Sequence, residues 1–168
     1  YGPEGQKDVI LSVAYSPDGK SLATGSKKGI VCVWNISDGE EEVLWRGHRV
    51  SVTSVAFSKD GKYLAFGGQD KFVRLWDLSK KKLVQKMEGH NEFIVSMAFS
   101  TKSIASMAFS PEGKYLAAVS YEGDVLLWDI DTGKLKRKLG GRFVHCIAFS
   151  PDGKYLVLGQ GYDSLLFW

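Results

Sequence analysis

The sequence is poor in the residues on which metal sites, disulfide frameworks and membrane spans depend. Its 168 residues include two cysteines, three histidines and four prolines. No apolar run approaches the roughly 20 residues that a membrane helix needs. Cys32 and Cys146 lie far apart inside apolar stretches, which predicts buried thiols rather than a disulfide or a zinc site. We therefore expect no metal and no cofactor, and a reducing, cytoplasmic setting.

A strong charge of one sign is also missing. The net charge is +3, with 24% charged and 44% hydrophobic residues, which is ordinary for a globular chain and excludes extensive disorder. Nucleic-acid binding usually requires a clustered basic face, so neither nucleic acid nor a membrane is an expected partner. The polar start, Tyr1 to Asp8, shows no signal peptide. Tyr1 is not a natural start residue, which suggests a chain cut from a longer one.

One block of sequence recurs four times along the chain. It is a Ser-Pro-Asp-Gly-Lys turn or a close variant, found at Ser16–Lys20, Ser58–Lys62, Ser110–Lys114 and Ser150–Lys154. The steps between blocks are 42, 52 and 40 residues, and four tryptophans, Trp34, Trp76, Trp128 and Trp168, keep the same steps. Two markers in phase indicate a single domain, 1–168, of four repeats at about 7–48, 49–90, 91–140 and 141–168, the last incomplete.

Each repeat predicts a set of short strands. One apolar stretch precedes the turn, a second follows it and a third ends at the tryptophan, and all are rich in Val, Ile, Phe and Tyr. The first stretches are Ile10–Tyr15, Val52–Phe57, Ile104–Phe109 and Val144–Phe149. A more charged fourth stretch follows most of the tryptophans, as expected of an exposed edge strand. The predicted fold class is all-β, built of four-stranded antiparallel sheets.

These markers resemble the Trp-Asp repeat family of β-propellers. The pairs that carry the resemblance are Trp76-Asp77, Trp128-Asp129, the variant Trp34-Asn35, Gly47-His48 and Gly89-His90. The resemblance implies blades packed radially around a channel, with interaction surfaces on the rims. It also implies a non-catalytic scaffold that binds other proteins.

The family further implies a structural tetrad of His, Ser or Thr, Asp and Trp that joins the strands of each blade. The matching residues are Thr24 and Trp34 in the first repeat, His48, Asp70 and Trp76 in the second, and His90 and Trp128 in the third. The other positions hold Lys28, Phe66, Ala118 and Glu122, among others, so no repeat has all four. We expect the second blade to be the most rigid and the fourth the least.

The long third step comes from a tandem duplication. Residues 94–100 read IVSMAFS and residues 104–110 read IASMAFS. Either of these two near-identical copies could form the inner strand of the third blade, so two strand registers are available. We favour the copy from Ile104 because it leads directly into the turn at Pro111. The extra segment is then a longer rim loop, a protruding hairpin that contacts a partner, or a strand exchanged with another molecule.

The two ends of the chain leave the ring incomplete. Most members of the family close about seven blades, and four blades should not close, so two apolar blade faces would be exposed. Three explanations remain: a fragment of a larger propeller, two copies joined head to tail into an eight-bladed ring, or an ordered part of the molecule. We favour a fragment, with self-association as an open possibility.

No constellation of residues predicts catalysis. His145 and Cys146 are neighbours on a strand and point to opposite faces, which is poor geometry for a thiol nucleophile. A core or channel-facing position suits His145 better. The carboxylates fall in turns or in the charged outer strands, and the sequence has no phosphate loop or nucleophile elbow. We therefore predict that the chain is not an enzyme.

Two surfaces are candidates for binding. The first is the rim of the blades, with Lys27, Gln69 and Tyr121 before the second turn of a repeat and Arg49, Ser51 and Phe143 near the start of an inner strand. Tyr and Arg are residue types that anchor interfaces. The second, from another functional class, is an anion-binding edge for nucleic acid or acidic lipid at Lys80–Lys82 and Lys134–Lys138. These lysines equally fit a solvated edge strand.

Overall fold

The computed structural model describes residues 8–46, 50–89, 104–120, 123–140, 144–160 and 164–168. These residues contain strands and turns, and the first strand of each repeat has the predicted bounds. The strands are β1 (Ile10–Tyr15), β2 (Ser21–Ser26), β3 (Ile30–Asn35), β4 (Glu41–Arg46), β5 (Val52–Phe57), β6 (Tyr63–Gly68), β7 (Val73–Asp77), β8 (Lys82–Met87), β9 (Ile104–Phe109), β10 (Tyr115–Ser120), β11 (Val125–Asp129), β12 (Leu135–Leu139), β13 (Val144–Phe149), β14 (Leu156–Gln160) and β15 (Ser164–Phe167).

The strands form four antiparallel sheets, each running in chain order. Strands β1–β4 make blade 1, β5–β8 blade 2, β9–β12 blade 3 and β13–β15 blade 4. The sheets are packed side by side, and the inner strands β1, β5, β9 and β13 lie beside one another in that order. This confirms the predicted all-β propeller of four repeats. The duplicated copy from Ile104 forms β9, as favoured, and the earlier copy lies outside the described residues.

The recurring turn fixes the first hairpin of each blade. In blade 1, Ser16 Oγ donates a hydrogen bond of 2.6 Å to Asp18 Oδ1 and accepts one of 2.9 Å from the Ser21 amide. Gly19 supplies the left-handed φ of +72° that closes the turn. The bond from Ser16 holds the pKa of Asp18 below its ordinary value. The same bonds recur at Ser58 and Asp60, and at Ser150 and Asp152.

The hydrophobic core lies between neighbouring blades. We call the surface that a blade turns to the next blade its leading face, marked by Val31, Val73 and Val125 in blades 1, 2 and 3. The opposite surface is its trailing face, marked by Val55, Met107 and Ile147 in blades 2, 3 and 4. All six side chains are buried. The same apolar contact, which we call the joint, therefore recurs between blades 1 and 2, blades 2 and 3, and blades 3 and 4.

One cysteine departs from the prediction. Cys32 is buried as predicted, but Cys146 is exposed, so the predicted burial of this thiol is wrong. Cys146 occupies the repeat position of Ser12, whose Oγ accepts a hydrogen bond from the Val55 amide of the next blade. No blade follows blade 4 among the described residues, which leaves that position uncovered. His145 is exposed too, so a core position is wrong for it, whereas a channel-facing position stays a prediction.

Candidate interaction rim

The described candidates gather at one end of the blades. We call this end the turn rim: the turns that follow β2, β6 and β10, together with the residues just before the inner strands. The Lys27 amide donates a hydrogen bond of 2.8 Å to the Val9 carbonyl, and the Gln69 amide donates one of 3.1 Å to the Ser51 carbonyl. Each of these turns is therefore tied to the start of the inner strand in its own blade.

Ser51 joins the turn rim across two blades. Its Oγ donates a hydrogen bond of 3.0 Å to the Lys27 carbonyl, and only 8% of its surface is exposed. The structure thus brings Lys27, Ser51 and Gln69 into one connected network, with Lys27 exposed and Gln69 half-buried. Ser51 contributes to the frame of the rim, and Lys27 and Gln69 present side chains on it.

Several sequence-based candidates lie outside the described residues. These are the rim candidates Arg49, Tyr121 and Phe143, and the tetrad candidates His48 and His90.

Lys71 is a rim residue that sequence reasoning missed. It has a left-handed φ of 68°, a conformation that costs most L residues about 1–2 kcal/mol. The equivalent turns of blades 1 and 3 place Gly29 and Gly123 there, with φ of 79° and 98°. The sequence signal that could have identified Lys71 is a lysine at a turn position where the first and third repeats have glycine. Local strain of this kind clusters at functional sites and supports a hypothesis of function at this rim.

In blade 2, the tetrad candidate Asp70 forms an ion pair with the buried Arg74. Arg74 Nη2 lies 2.6 Å from Asp70 Oδ2, and Arg74 is 8% exposed. Its guanidinium stands 5.7 Å from the ring centroid of Trp45 and 5.5 Å from that of Phe72. Sequence reasoning missed Arg74. Its signal is a charged residue at the position where the first and third repeats have Cys32 and Leu126, and this is apparent only after the strands are aligned.

The tetrad tryptophans have three different environments. In blade 1, Trp34 Nε1 donates a hydrogen bond of 3.1 Å to Thr24 Oγ1. In blade 2, Phe66 occupies the hydroxyl position, and Trp76 Nε1 is buried without a hydrogen-bond partner among the described residues. In blade 3, Trp128 Nε1 donates to the Glu88 carbonyl at 3.3 Å.

Trp76 packs against an aromatic side chain of the neighbouring blade. Trp45 of blade 1 packs on blade 2, with its ring 6.0 Å from Phe66 and 6.2 Å from Trp76. Aromatic packing between blades thus takes the place of the missing polar contact in blade 2.

Three lysines of the two lysine edges pair with carboxylates. Lys81 Nζ lies 2.8 Å from Glu42 Oε1 of blade 1, and Lys138 Nζ lies 3.0 Å from Asp124 Oδ2. Lys80 Nζ lies 3.4 Å from Asp77 Oδ2. A hydrogen bond from Ser79 Oγ, followed by one from the Lys80 amide, lowers the pKa of Asp77 to about 2. These pairs reduce the positive charge available to an anionic partner.

The opposite end of blades 1 and 2 holds a cleft of about 580 Å³. It is lined by residues of the first hairpin turns, such as Asp18, Lys59 and Asp60, together with apolar side chains such as Leu44 and Phe57. Every lining residue lies away from the turn rim, so the cleft and the turn rim are separate surfaces. Substitutions in the cleft can therefore serve as matched controls for substitutions on the turn rim.

Neither a metal cluster nor a bilayer-spanning helix occurs in the part of the chain that the structure describes. His, Cys, Asp and Glu side chains do not come together there in the groups of three that could hold a metal ion. A helix of the length and apolar composition needed to cross a bilayer is likewise absent from these residues.

Comparison with known proteins adds two findings. Residues 9–168 match the family model described as the IFT122 first beta-propeller. Over 39 residues the chain is 49% identical to an uncharacterized WD repeat-containing protein, alr3466, from Nostoc sp. (strain PCC 7120 / SAG 25.82 / UTEX 2576). That match covers 23% of this chain and 3% of the relative, so the chain spans a small part of that protein's length.

Proposed function

Because the chain belongs to the IFT122 first beta-propeller family, we propose that it is a non-catalytic scaffold that binds other proteins through its turn rim. Propellers of this type are generally protein-interaction scaffolds rather than enzymes. The observation that carries the proposal is the network through Ser51, which holds the Lys27 and Gln69 turns in one fixed arrangement. A preorganised surface loses little conformational entropy on binding, so its contacts contribute more to affinity.

The remaining rim candidates join this proposal by their positions in the sequence. Arg49, Tyr121 and Phe143 share the repeat positions that flank the same turns, and Arg and Tyr are among the residues that anchor interfaces. Lys71, whose backbone has a strained left-handed φ, adds a positively charged side chain two residues after Gln69. We propose that these side chains contact the partner together with Lys27.

Site-specific photo-crosslinking tests the position of the surface. A photoreactive residue is placed at Lys27 or Gln69, and in a matched control at Lys59 in the opposite cleft. Each crosslinked protein is identified and purified, and its Kd is measured for the wild type, Lys27→Glu, Gln69→Ala and Lys59→Glu. We expect the two rim variants to raise Kd about 10-fold or more, whereas Lys59→Glu leaves it unchanged. The reverse pattern would assign binding to the cleft.

The salt dependence of the same Kd tests the anion-binding alternative. Contacts with phosphate weaken steeply as ionic strength rises, whereas an aromatic-centred protein interface does not. A steep dependence, abolished by replacing Lys82 and Lys134 with glutamine, would favour nucleic acid or acidic lipid over the proposed protein partner.

We also propose a reducing, cytoplasmic location for the chain. The thiol of Cys146 is exposed, and Cys32 and Cys146 are not joined in a disulfide, which suits a compartment rich in thiols. Microscopy of a tagged chain tests this, and a signal confined to an oxidising compartment would contradict it.

A further inference from the structure

The cleft between blades 1 and 2 has the size of a ligand pocket. Its volume of about 580 Å³ lies within the range that ligand pockets occupy. Both blades that border the cleft have all four strands, β1–β4 and β5–β8. The cleft is therefore a feature of an internal contact between two blades.

The next joint along the chain buries the positions that this cleft leaves open. At the joint between blades 2 and 3, Leu75 and Ile130 are 1% and 4% exposed. The equivalent residues at the joint between blades 1 and 2 are Val33 and Leu78, and both are only half-buried. Val33 is one methylene smaller than Leu75, which leaves more room. The joint between blades 1 and 2 thus keeps apolar surface accessible to a ligand.

Both blades contribute apolar side chains to the cleft. Val33 and Leu44 come from blade 1, and Phe57 and Leu78 come from blade 2. We call these four side chains the cleft floor. An apolar side chain of a ligand that covers the cleft floor removes further apolar surface from water, which contributes about 25 cal/mol for each Å².

Carboxylates outnumber lysines in the lining of the cleft. The charged groups among the described lining residues are the carboxylates of Asp18, Glu42 and Asp60 and the ammonium group of Lys59. Glu42 pairs with Lys81 at 2.8 Å, but both side chains are more than half exposed. An exposed pair of this kind contributes little, so a cation of the ligand can replace Lys81 at small cost. The lining therefore favours a positively charged ligand.

The two turn carboxylates are held in place within their own turns. Ser16 Oγ donates a hydrogen bond of 2.6 Å to Asp18 Oδ1, and Ser58 Oγ donates one of 2.6 Å to Asp60 Oδ1. These bonds lower the pKa of both carboxyl groups, which keeps them ionised at neutral pH. The amides two residues further along donate to the same Oδ1 atoms. The Oδ2 atom of each carboxylate takes no part in these four bonds.

We propose that this cleft binds an extended peptide segment of a protein partner, in which an apolar side chain is flanked by lysine or arginine. The apolar side chain covers the cleft floor, and the flanking cations pair with Asp18 and Asp60. A polyamine would satisfy the carboxylates but leave the cleft floor uncovered, so the lining favours a peptide. Every lining residue lies away from the turn rim, so this ligand is a second partner and does not depend on binding at the turn rim.

Selection from a phage-displayed library of random heptapeptides on the immobilised chain tests the class of ligand. We expect the selected peptides to share a lysine or arginine next to an apolar residue. A parallel selection uses the double variant Asp18→Asn with Asp60→Asn, in which the amide oxygen still accepts the hydrogen bonds of the turn, and the pattern should be lost there. The pattern should persist in Asp152→Asn, whose turn has the same bond from Ser150 but does not line the cleft.

Fluorescence polarisation with a selected peptide locates its contacts. Asp18→Asn and Asp60→Asn should each raise Kd about 3- to 5-fold, because each removes an exposed charge pair. Leu78→Ser removes apolar surface from the cleft floor and should raise Kd about 5-fold. Lys59→Glu replaces the lysine of the lining by a carboxylate and should lower Kd about 3-fold. A gain of this kind does not arise from misfolding, and circular dichroism verifies the fold of the other variants.

Lys27→Glu on the turn rim is the control for location and should leave the Kd of the peptide unchanged. If Lys27→Glu weakens binding and the cleft variants do not, the peptide binds at the turn rim, which overturns the cleft inference and leaves the proposed function standing. A selection that yields no peptide or acidic peptides overturns the inference as well. Spermidine that binds as tightly as the selected peptide would also overturn it, because a polyamine does not cover the cleft floor.

Discussion

The indole nitrogen of Trp34 donates a hydrogen bond of 3.1 Å to the hydroxyl of Thr24 on the neighbouring strand of blade 1. Thr24 is 7% exposed, so removing its hydroxyl leaves the indole donor with little access to water. Thr24→Val keeps the shape of the side chain and should lower the free energy of unfolding by about 1 kcal/mol. Urea denaturation measures the change. Thr24→Ser retains the oxygen and is the control for the hydrogen bond, and an unchanged free energy of unfolding in Thr24→Val would show that the bond contributes nothing.

The ion pair of blade 2 predicts an asymmetric response to substitution. Asp70→Asn leaves the buried guanidinium of Arg74 without its carboxylate and should lower the free energy of unfolding by about 3 kcal/mol. Adding Arg74→Leu should restore most of that loss, because blade 3 places Leu126 at this position. Denaturation of the single and double variants measures the coupling. A double variant that is less stable than Asp70→Asn would contradict this account.

The backbone at Lys71 predicts a stabilising substitution. Glycine tolerates the left-handed φ of 68°, so Lys71→Gly should raise the free energy of unfolding by about 0.5–1 kcal/mol. Thermal unfolding followed by calorimetry measures the gain. Lys59→Gly is the control, since this turn residue has no positive φ, and it should give no gain. If Lys71 contacts a partner, the same glycine variant should bind more weakly while being more stable.

Asp77 predicts a contribution to stability that depends on pH. Its pKa in the folded chain, about 2, lies below the ordinary value of 3.8. The folded state therefore gains stability from this carboxylate above pH 3.8, and the gain is lost as the pH falls from 3.8 to about 2. Unfolding curves of the wild type and Asp77→Asn, recorded across this range, should differ at neutral pH and converge in acid. Parallel curves would show that the carboxylate charge contributes nothing.

Blade position predicts the order of amide exchange. Strands β5, β6 and β7 have a blade packed on either side, whereas β14 and β15 have a buried trailing face and an exposed leading face. Local opening should therefore be rarer in blade 2 than in blade 4, which retains the rigidity order that the tetrad residues predict. Hydrogen exchange followed by mass spectrometry on the wild type measures this order. Faster exchange in blade 2 would contradict it.

Local features of the blades were predictable because each depends on residues close in sequence. The glycines of the recurring turns and the spacing of the tryptophans predict both the hairpins and the number of sheets. The inner strands have the predicted bounds because apolar stretches end at those same turns.

Features that depend on contacts between blades were not predictable in this way. The packing of Trp45 on Trp76 and the burial of Arg74 require knowledge of which strand faces which. Cys146 is the clearest case, because its sequence neighbours are apolar, but its exposure is decided by the absence of a following blade among the described residues. At the turn rim, sequence identified Lys27 and Gln69, whereas the backbone strain of Lys71 became evident only from its φ.

Because each contact between blades pairs a leading face with a trailing face, the blades can follow one another in only one direction. Every blade offers a different surface at its front and at its back, so one more unit of the same type can be added at either end without new interface chemistry. Duplication of a single repeat in the gene would therefore yield a longer arc that is already adapted to its neighbours. A blade inserted back to front would meet its neighbour with two identical surfaces and find no complementary partner.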